Sequence, residues 1–201
     1  MLHGNIIKWS IFMHSFTTER LLIRPLAVQD KALYLSLYCN AKIMKNIGEP
    51  LSLESAQKAF HNTLKAMDKT MPKVLTWAIV NKITNETIGI QALSESSQDD
   101  FKIAEIGIML STKANGKQFP EEAMGALMEY GFHHLLLMRI NAVYACKNLA
   151  TKRFVNKLGF RFNNQPQGDE DNNEYQYFDQ RQWNKSLITK ILPNKYDNPL
   201  P

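Results

Sequence analysis

Cysteine is scarce in this 201-residue chain: there are two, Cys39 and Cys146, far apart and in no CxxC pair or metal-ligand spacing. That excludes a disulfide scaffold, a zinc ribbon and a thioredoxin-like redox motif. No metal is expected, and a reduced, cytoplasmic setting is the simplest. Long apolar runs are missing too. Nothing approaches the ~18 consecutive apolar residues that span a bilayer, and Ile6–Phe16 is broken by Lys8, Ser10, His14 and Ser15. Neither a membrane partner nor a signal peptide is read. Charge of one sign never accumulates. The 24 Lys and Arg against 19 Asp and Glu leave a net charge of +5, but the basic residues are scattered and do not alternate with aromatics as a nucleic-acid groove requires. Nucleic acid is not an expected partner. A mild pull on a small anion is. There is no internal repeat.

What is present is a 44% hydrophobic content, enough at this length for one domain with a full core. Residues 1–16 show no clear period and read as an N-terminal extension. From Thr17, T-T-E-R-L-L-I-R-P-L alternates Leu22 with Arg24 and ends at Pro25, which suits a first strand at a sheet edge. Asp30–Cys39 has helical spacing in Leu33, Leu37, Tyr34 and Tyr38, and Ser52 is placed to cap a second helix reaching about Lys69. Val74–Asn81 and Thr87–Ser94 read as a hairpin across K-I-T-N-E. In the strand Phe101–Leu110, period two puts Ala104, Ile106, Ile108 and Leu110 on one face and Glu105, Gly107 and Met109 on the other. Glu174–Asp179 alternates as a last strand, and Ser186–Pro201, with Pro193 and Pro199, reads as a tail. This order gives an α/β or α+β domain around a single mixed sheet.

The organising stretch is Met109–Phe160. The strand ending near Leu110 passes through a polar loop containing Gly116 into a helix opened by Pro120, Glu121 and Glu122. The first N–H groups of a helix have no partner inside it, and with the positive end of the macrodipole they attract an anion such as a pyrophosphate. A second strand, Ile140–Cys146, leads to Asn148, which can cap a helix Leu149–Leu158 stopped by Gly159.

N-G-K-Q-F-P-E-E-A from Asn115 to Ala123 and N-L-A-T-K-R-F-V-N-K-L-G-F from Asn148 to Phe160 resemble the GNAT acyltransferases. Within that superfamily they are similar to the branch typified by ribosomal-protein N-terminal acetyltransferases, with T-E-R-L-L-I-R-P-L matching its opening. The likeness runs from about Thr17 to Lys185. It implies the GNAT fold, a mixed central sheet with helices on both faces, in which the fourth and fifth strands splay to admit the pantetheine arm of acetyl-CoA. The fourth strand here is Phe101–Leu110. The implied reaction moves an acetyl group from acetyl-CoA to a primary amine, a protein N-terminus being one candidate.

Roles follow from the same resemblance. Backbone N–H groups around Met109 and Leu110 would polarise the thioester carbonyl. The loop and helix start, Lys113, Asn115, Gly116, Lys117, Gln118, Phe119 and Glu121, would hold the pyrophosphate, and Asn148 and Thr151 the cofactor arm. Asn148 has an equal reading as a simple cap. Glu105, a carboxylate in an apolar strand, suits a general base whose pKa burial raises, or else an ion pair. Many family members carry an acidic tyrosine where this chain has Val155, leaving Tyr144, Cys146 and Thr151 as alternatives. The loop signature places a positive or amide residue, Gly, and Gly or Ala at Lys113, Gly116 and Gln118, so only Gly116 matches fully. Gln118 would be strained at positive φ, and Pro120 removes a donor. Two functions therefore stand: an N-acetyltransferase, and a catalytically idle CoA-binding or interaction module on the same fold.

Overall fold

The computed structural model describes residues 14–96, 102–114, 117–162 and 172–183. Its elements in chain order are β1 (Phe16–Thr17), β2 (Leu21–Pro25), α1 (Lys31–Tyr38), α2 (Ala41–Met44), α3 (Leu53–Met67), β3 (Val74–Asn81), β4 (Thr87–Glu95) and β5 (Ile103–Leu110). There follow α4 (Phe119–His133), β6 (Arg139–Ala145), α5 (Leu149–Leu158), β7 (Arg161–Phe162) and β8 (Asn173–Asp179). The strands form one sheet in the order β1-β2-β3-β4-β5-β6-β8-β7. Every neighbouring pair is antiparallel except β5 and β6. That pair is joined through α4, and parallel neighbours need such a crossover.

Local chemistry explains the boundaries. Ser52 caps α3 by accepting from the Ser55 N–H, and Asn148 caps α5 by accepting from the Thr151 N–H. Gly159 ends α5 at φ 89, a left-handed conformation that glycine adopts without a Cβ clash. In the β3–β4 hairpin Asn81 Oδ1 accepts from the N–H of Ile83, and Asn85 sits at φ 56. The first strand differs from its sequence pattern. It is split at Thr18–Arg20, and β1 lies outside β2 in the sheet, so Phe16 already pairs with Ile23. Phe101 and the tail 186–201 lie outside the described residues.

Two apolar layers flank the sheet. On one face α1 and α3 bury Tyr34, Leu37 and Phe60 against Ala78 and Ile90, with Met109 packed alongside. On the other, α4 and α5 bury Met124, Leu127, Val155 and Leu158 over Trp77, Leu93, Ala104 and Ile106. The alternation in β5 is the one its sequence indicates.

One polar feature crosses the second layer. Glu122 of α4 is 4% exposed, and its Oε1 accepts from the Thr18 hydroxyl and from the Arg20 backbone N–H at 3.0 Å. Its Oε2 takes Arg20 Nε at 2.6 Å and Nη2 at 2.5 Å. Arg20 then donates from Nη1 to the Lys117 carbonyl at 2.9 Å and lies 4.7 Å from the centre of the Phe119 ring. The β1–β2 turn is thereby tied to the start of α4. Glu122→Ala removes the acceptor from several donors at once, Arg20 being partly exposed. We expect a loss of ~2–3 kcal/mol, a fall of ~5–10 °C in melting temperature by calorimetry. A shift under ~2 °C would show the clamp to be dispensable.

Candidate functional site

The parallel ladder between β5 and β6 is short. It pairs Ile103 with Arg139, Ala104 with Ile140 and Glu105 with Asn141, and then stops. Beyond that point β5 stays paired to β4 as far as Leu110, and β6 stays paired to β8 as far as Ala145. The two strands part, and a cleft of about 720 Å³ lies between and around them. Successive N–H groups of a strand point to opposite neighbours, so of Met109 and Leu110 one faces β4 and the other the gap.

Glu105 lies where the ladder ends and lines the cleft. It is partly buried, and desolvation raises its pKa above the usual carboxylate range. Gly107, two residues on and on the same face, lines the cleft with nothing within 4 Å of where a Cβ would stand. Any side chain there would enter the space a ligand needs. The wall on this face is completed by Tyr34 and Tyr38 from α1, stacked with ring centres 4.4 Å apart, and by Asn62 and Thr63 from α3. No local pattern marks these four as cleft residues.

The start of α4 forms the second part of the site. Gln118 adopts φ 58 and ψ 18, the left-handed conformation in which its side chain is strained, and makes no side-chain cap. Phe119 and Pro120 open the helix, so Pro120 occupies a position whose N–H would have had no helical acceptor, and one donor to an incoming anion is missing. The Glu122 N–H is already given to the Gln118 carbonyl at 3.3 Å. Both first-turn carboxylates are neutralised: Glu122 by Arg20, and Glu121 by Lys157 at 3.4 Å. Lys113 and Lys117 are exposed, whereas Phe119 is buried. Among the described residues Lys113 and Lys117 join no ion pair, while the first-turn carboxylates of α4 do. Met124, one turn further along α4, lines the cleft and joins the two parts. Asn115 and Gly116 lie outside the described residues.

On the far side of the gap, Asn148 and Thr151 line the cleft, and the Thr151 N–H donates to Asn148 Oδ1 at 3.2 Å. The capping and the cleft-lining roles of Asn148 therefore coexist. Tyr144 also lines the cleft, but its hydroxyl donates to Glu174 Oε2 at 2.8 Å and accepts from Gln176 Nε2 at 2.7 Å. Glu174 is in turn paired with Lys152 at 2.5 Å. Burial and the Glu174 carboxylate raise the Tyr144 pKa strongly, so its proton is held rather than offered. Val155 is fully buried in the core, and Cys146 is a partly buried free thiol. Among the described residues no three His, Cys, Asp or Glu side chains gather as a metal site would, and no helix is long and apolar enough to cross a membrane.

Residues 20–161 match the family model of the acetyltransferase (GNAT) domain. The chain is 29% identical over 149 residues to the uncharacterized N-acetyltransferase YoaA of Bacillus subtilis, covering 72% of this chain and 81% of that one. It is 28% identical over 179 residues to YnaD of the same organism, also an uncharacterized N-acetyltransferase, covering 86% and 100%. Among solved structures, spermidine N-acetyltransferase of Vibrio cholerae, in complex with CoA and spermine, superposes with a TM-score of 0.69 at 19% identity, over 82% of this chain and 98% of that one. Ribosomal-protein-S5-alanine acetyltransferase of Vibrio fischeri gives 0.66 at 17%, over 85% and 98%. With the family model spanning both the clamped helix start and the strands that part, this chain belongs to the GNAT acetyltransferase family.

Proposed function

We propose that the protein is an N-acetyltransferase that uses acetyl-CoA to acetylate a primary amine, with Glu105 as the general base. The observation that carries this reading is Glu105 beside the open space at Gly107, at the point where the β5–β6 ladder ends. The residues present fit the cofactor. The parted strands leave room for an extended arm, and the start of α4 offers an anion Lys113, Lys117 and the unshared N–H groups of its first turn. Bound there, acetyl-CoA supplies the activated acetyl group.

The chain's own groups do the rest. Glu105 accepts the proton of the incoming ammonium directly or through one water, leaving the amine neutral and nucleophilic. The β5 N–H that faces the gap donates to the thioester carbonyl oxygen as charge builds on it. The neutral amine then forms its N–C bond as the C–S bond breaks, and the sulfur leaves as a thiolate that takes up the proton shed by the acylated nitrogen; with a thiol pKa of ~8.5 no side-chain acid is needed. That suits a cleft in which Tyr144 is engaged by Glu174 and Val155 replaces the family's tyrosine. The same two facts favour a second reading, a CoA-binding protein without turnover.

The acceptor is open. The likeness to a spermidine enzyme and to a ribosomal-protein enzyme is of the same degree, so a protein N-terminus rests on the sequence likeness of T-E-R-L-L-I-R-P-L, Asn115–Ala123 and Asn148–Phe160. Its α-amino group, pKa ~7.7–8.0, is easier to deprotonate than lysine at ~10.4.

Three measurements test this. Acetyl-CoA at ~100 times its dissociation constant should stabilise the fold by ~2.7 kcal/mol in a thermal shift, and no shift at millimolar concentration removes both readings. Only the carboxylate form of Glu105 accepts a proton, so kcat should be low at acid pH and rise through its pKa, above the range of an ordinary glutamate. Glu105→Gln should lower kcat ~100-fold or more with CoA affinity unchanged; parental turnover at every pH would make Glu105 structural. Finally, Gln118→Gly with Pro120→Ala relieves the left-handed strain and restores a donor. Calorimetric titration with CoA should show binding tighter by about tenfold, net of the looser free loop. Equal or weaker binding would assign the phosphates to the Lys113 and Lys117 side chains.

A further inference from the structure

Gln91 stands in the middle of β4, opposite Trp77 on one side and Ile108 on the other. Directly opposite residues share a face, and both neighbours pack in the layer under α4, so Gln91 points that way as well. It is 1% exposed. Neither its Oε1 nor its Nε2 has a hydrogen-bond partner among the described residues. A core position costs a protein heavily when an amide there goes unsatisfied, and an apolar side chain of the same length would fill the space without that cost.

The surroundings indicate what the amide meets. Gln91 is part of the cleft wall, as are Ile108 and Met124, which are apolar and belong to the same face. Tyr34, Thr63 and Glu105, where the amine enters in the reading above, belong to the opposite face. A carboxamide offers one acceptor and two donors, and its complement is a group that both gives an N–H and presents a carbonyl. An amide is such a group, and the pantetheine arm of coenzyme A carries two.

We propose that Gln91 is a binding residue for the amide-bearing arm of CoA, and that its amide has no partner among the described residues because that partner arrives with the ligand. This rests on the cofactor reading of the cleft. It assigns to a β4 side chain a part of the recognition that the family resemblance places wholly on β5, the α4 loop and the start of α5.

The test compares the parent with Gln91→Met, which keeps the length and removes both polar functions, and Gln91→Asn, which keeps the amide one carbon short. The readouts are the melting temperature of the free protein and calorimetric affinities for CoA and for ADP, which has the pyrophosphate but lacks the arm. Gln91→Met should melt a few degrees higher than the parent and bind CoA about tenfold more weakly, with ADP affinity unchanged. Gln91→Asn should lose CoA affinity without the gain in melting temperature. Parental CoA affinity in Gln91→Met overturns the proposal while leaving the cofactor reading intact. A lower melting temperature in Gln91→Met overturns it by giving the amide a structural partner, such as a buried water. Equal weakening of CoA and ADP overturns it by placing the effect at the helix start. A parent that binds neither ligand removes the cofactor reading and this proposal together.

Discussion

The carboxylate of Glu122 is the fixed point of the molecule. Its position inside an apolar layer is tolerable only because two oxygens receive the Thr18 hydroxyl, the Arg20 backbone and the Arg20 guanidinium. Those partners come from a turn about a hundred residues earlier in the chain, so forming them fixes where the first hairpin sits against α4. The guanidinium has donors left over, and one of them holds the Lys117 carbonyl just ahead of the strained Gln118. A non-glycine residue persists at positive φ when its surroundings over-determine it. Here the surroundings are Arg20 on one side and the packed ring of Phe119 on the other.

The second constraint is how each half of the sheet is held. β5 is secured by β4 over its length, and β6 by β8 over its length, so neither depends on the other for more than three residue pairs. Strands can part without leaving either one unsupported. That division puts Glu105 at the fork and exposes alternate backbone groups of β5 to whatever fills the gap. The chemistry proposed for this cleft uses those groups because they are the ones the topology leaves unspent.

Much of this was legible in the sequence, for physical reasons that differ from one residue to another. Ser52, Asn148 and Gly159 act on backbone groups within four positions, so local order alone placed them. The two faces of β5 followed from a period of two. Gln118 carries a side chain that a positive φ strains, and it sits at φ 58. The two-residue strands β1 and β7 and the four-residue α2 were not foreseen, since pieces so short show no period. Nor were the pairings of Arg20 with Glu122 and of Tyr144 with Glu174. Glu122 read simply as an acid suited to a helix start, and Tyr144 as an available phenol, because nothing local records a partner that distant. The orphaned amide of Gln91 was equally hidden: a glutamine in an apolar strand is unremarkable until its neighbours are seen.

The three-pair ladder has a mechanical corollary. Hydrogen-bonded strands are held at a spacing close to 4.8 Å, a stiff and directional constraint. Past Glu105 no such ladder sets the distance between β5 and β6, which is governed instead by the side chains of α4 and α5 that roof the gap, through contacts that are individually weak and without fixed direction. The sheet is thus rigid along each half and compliant across its seam. Met124 and Val155, one from each roofing helix, line that seam. A change of volume at either position would be felt first as a change in aperture.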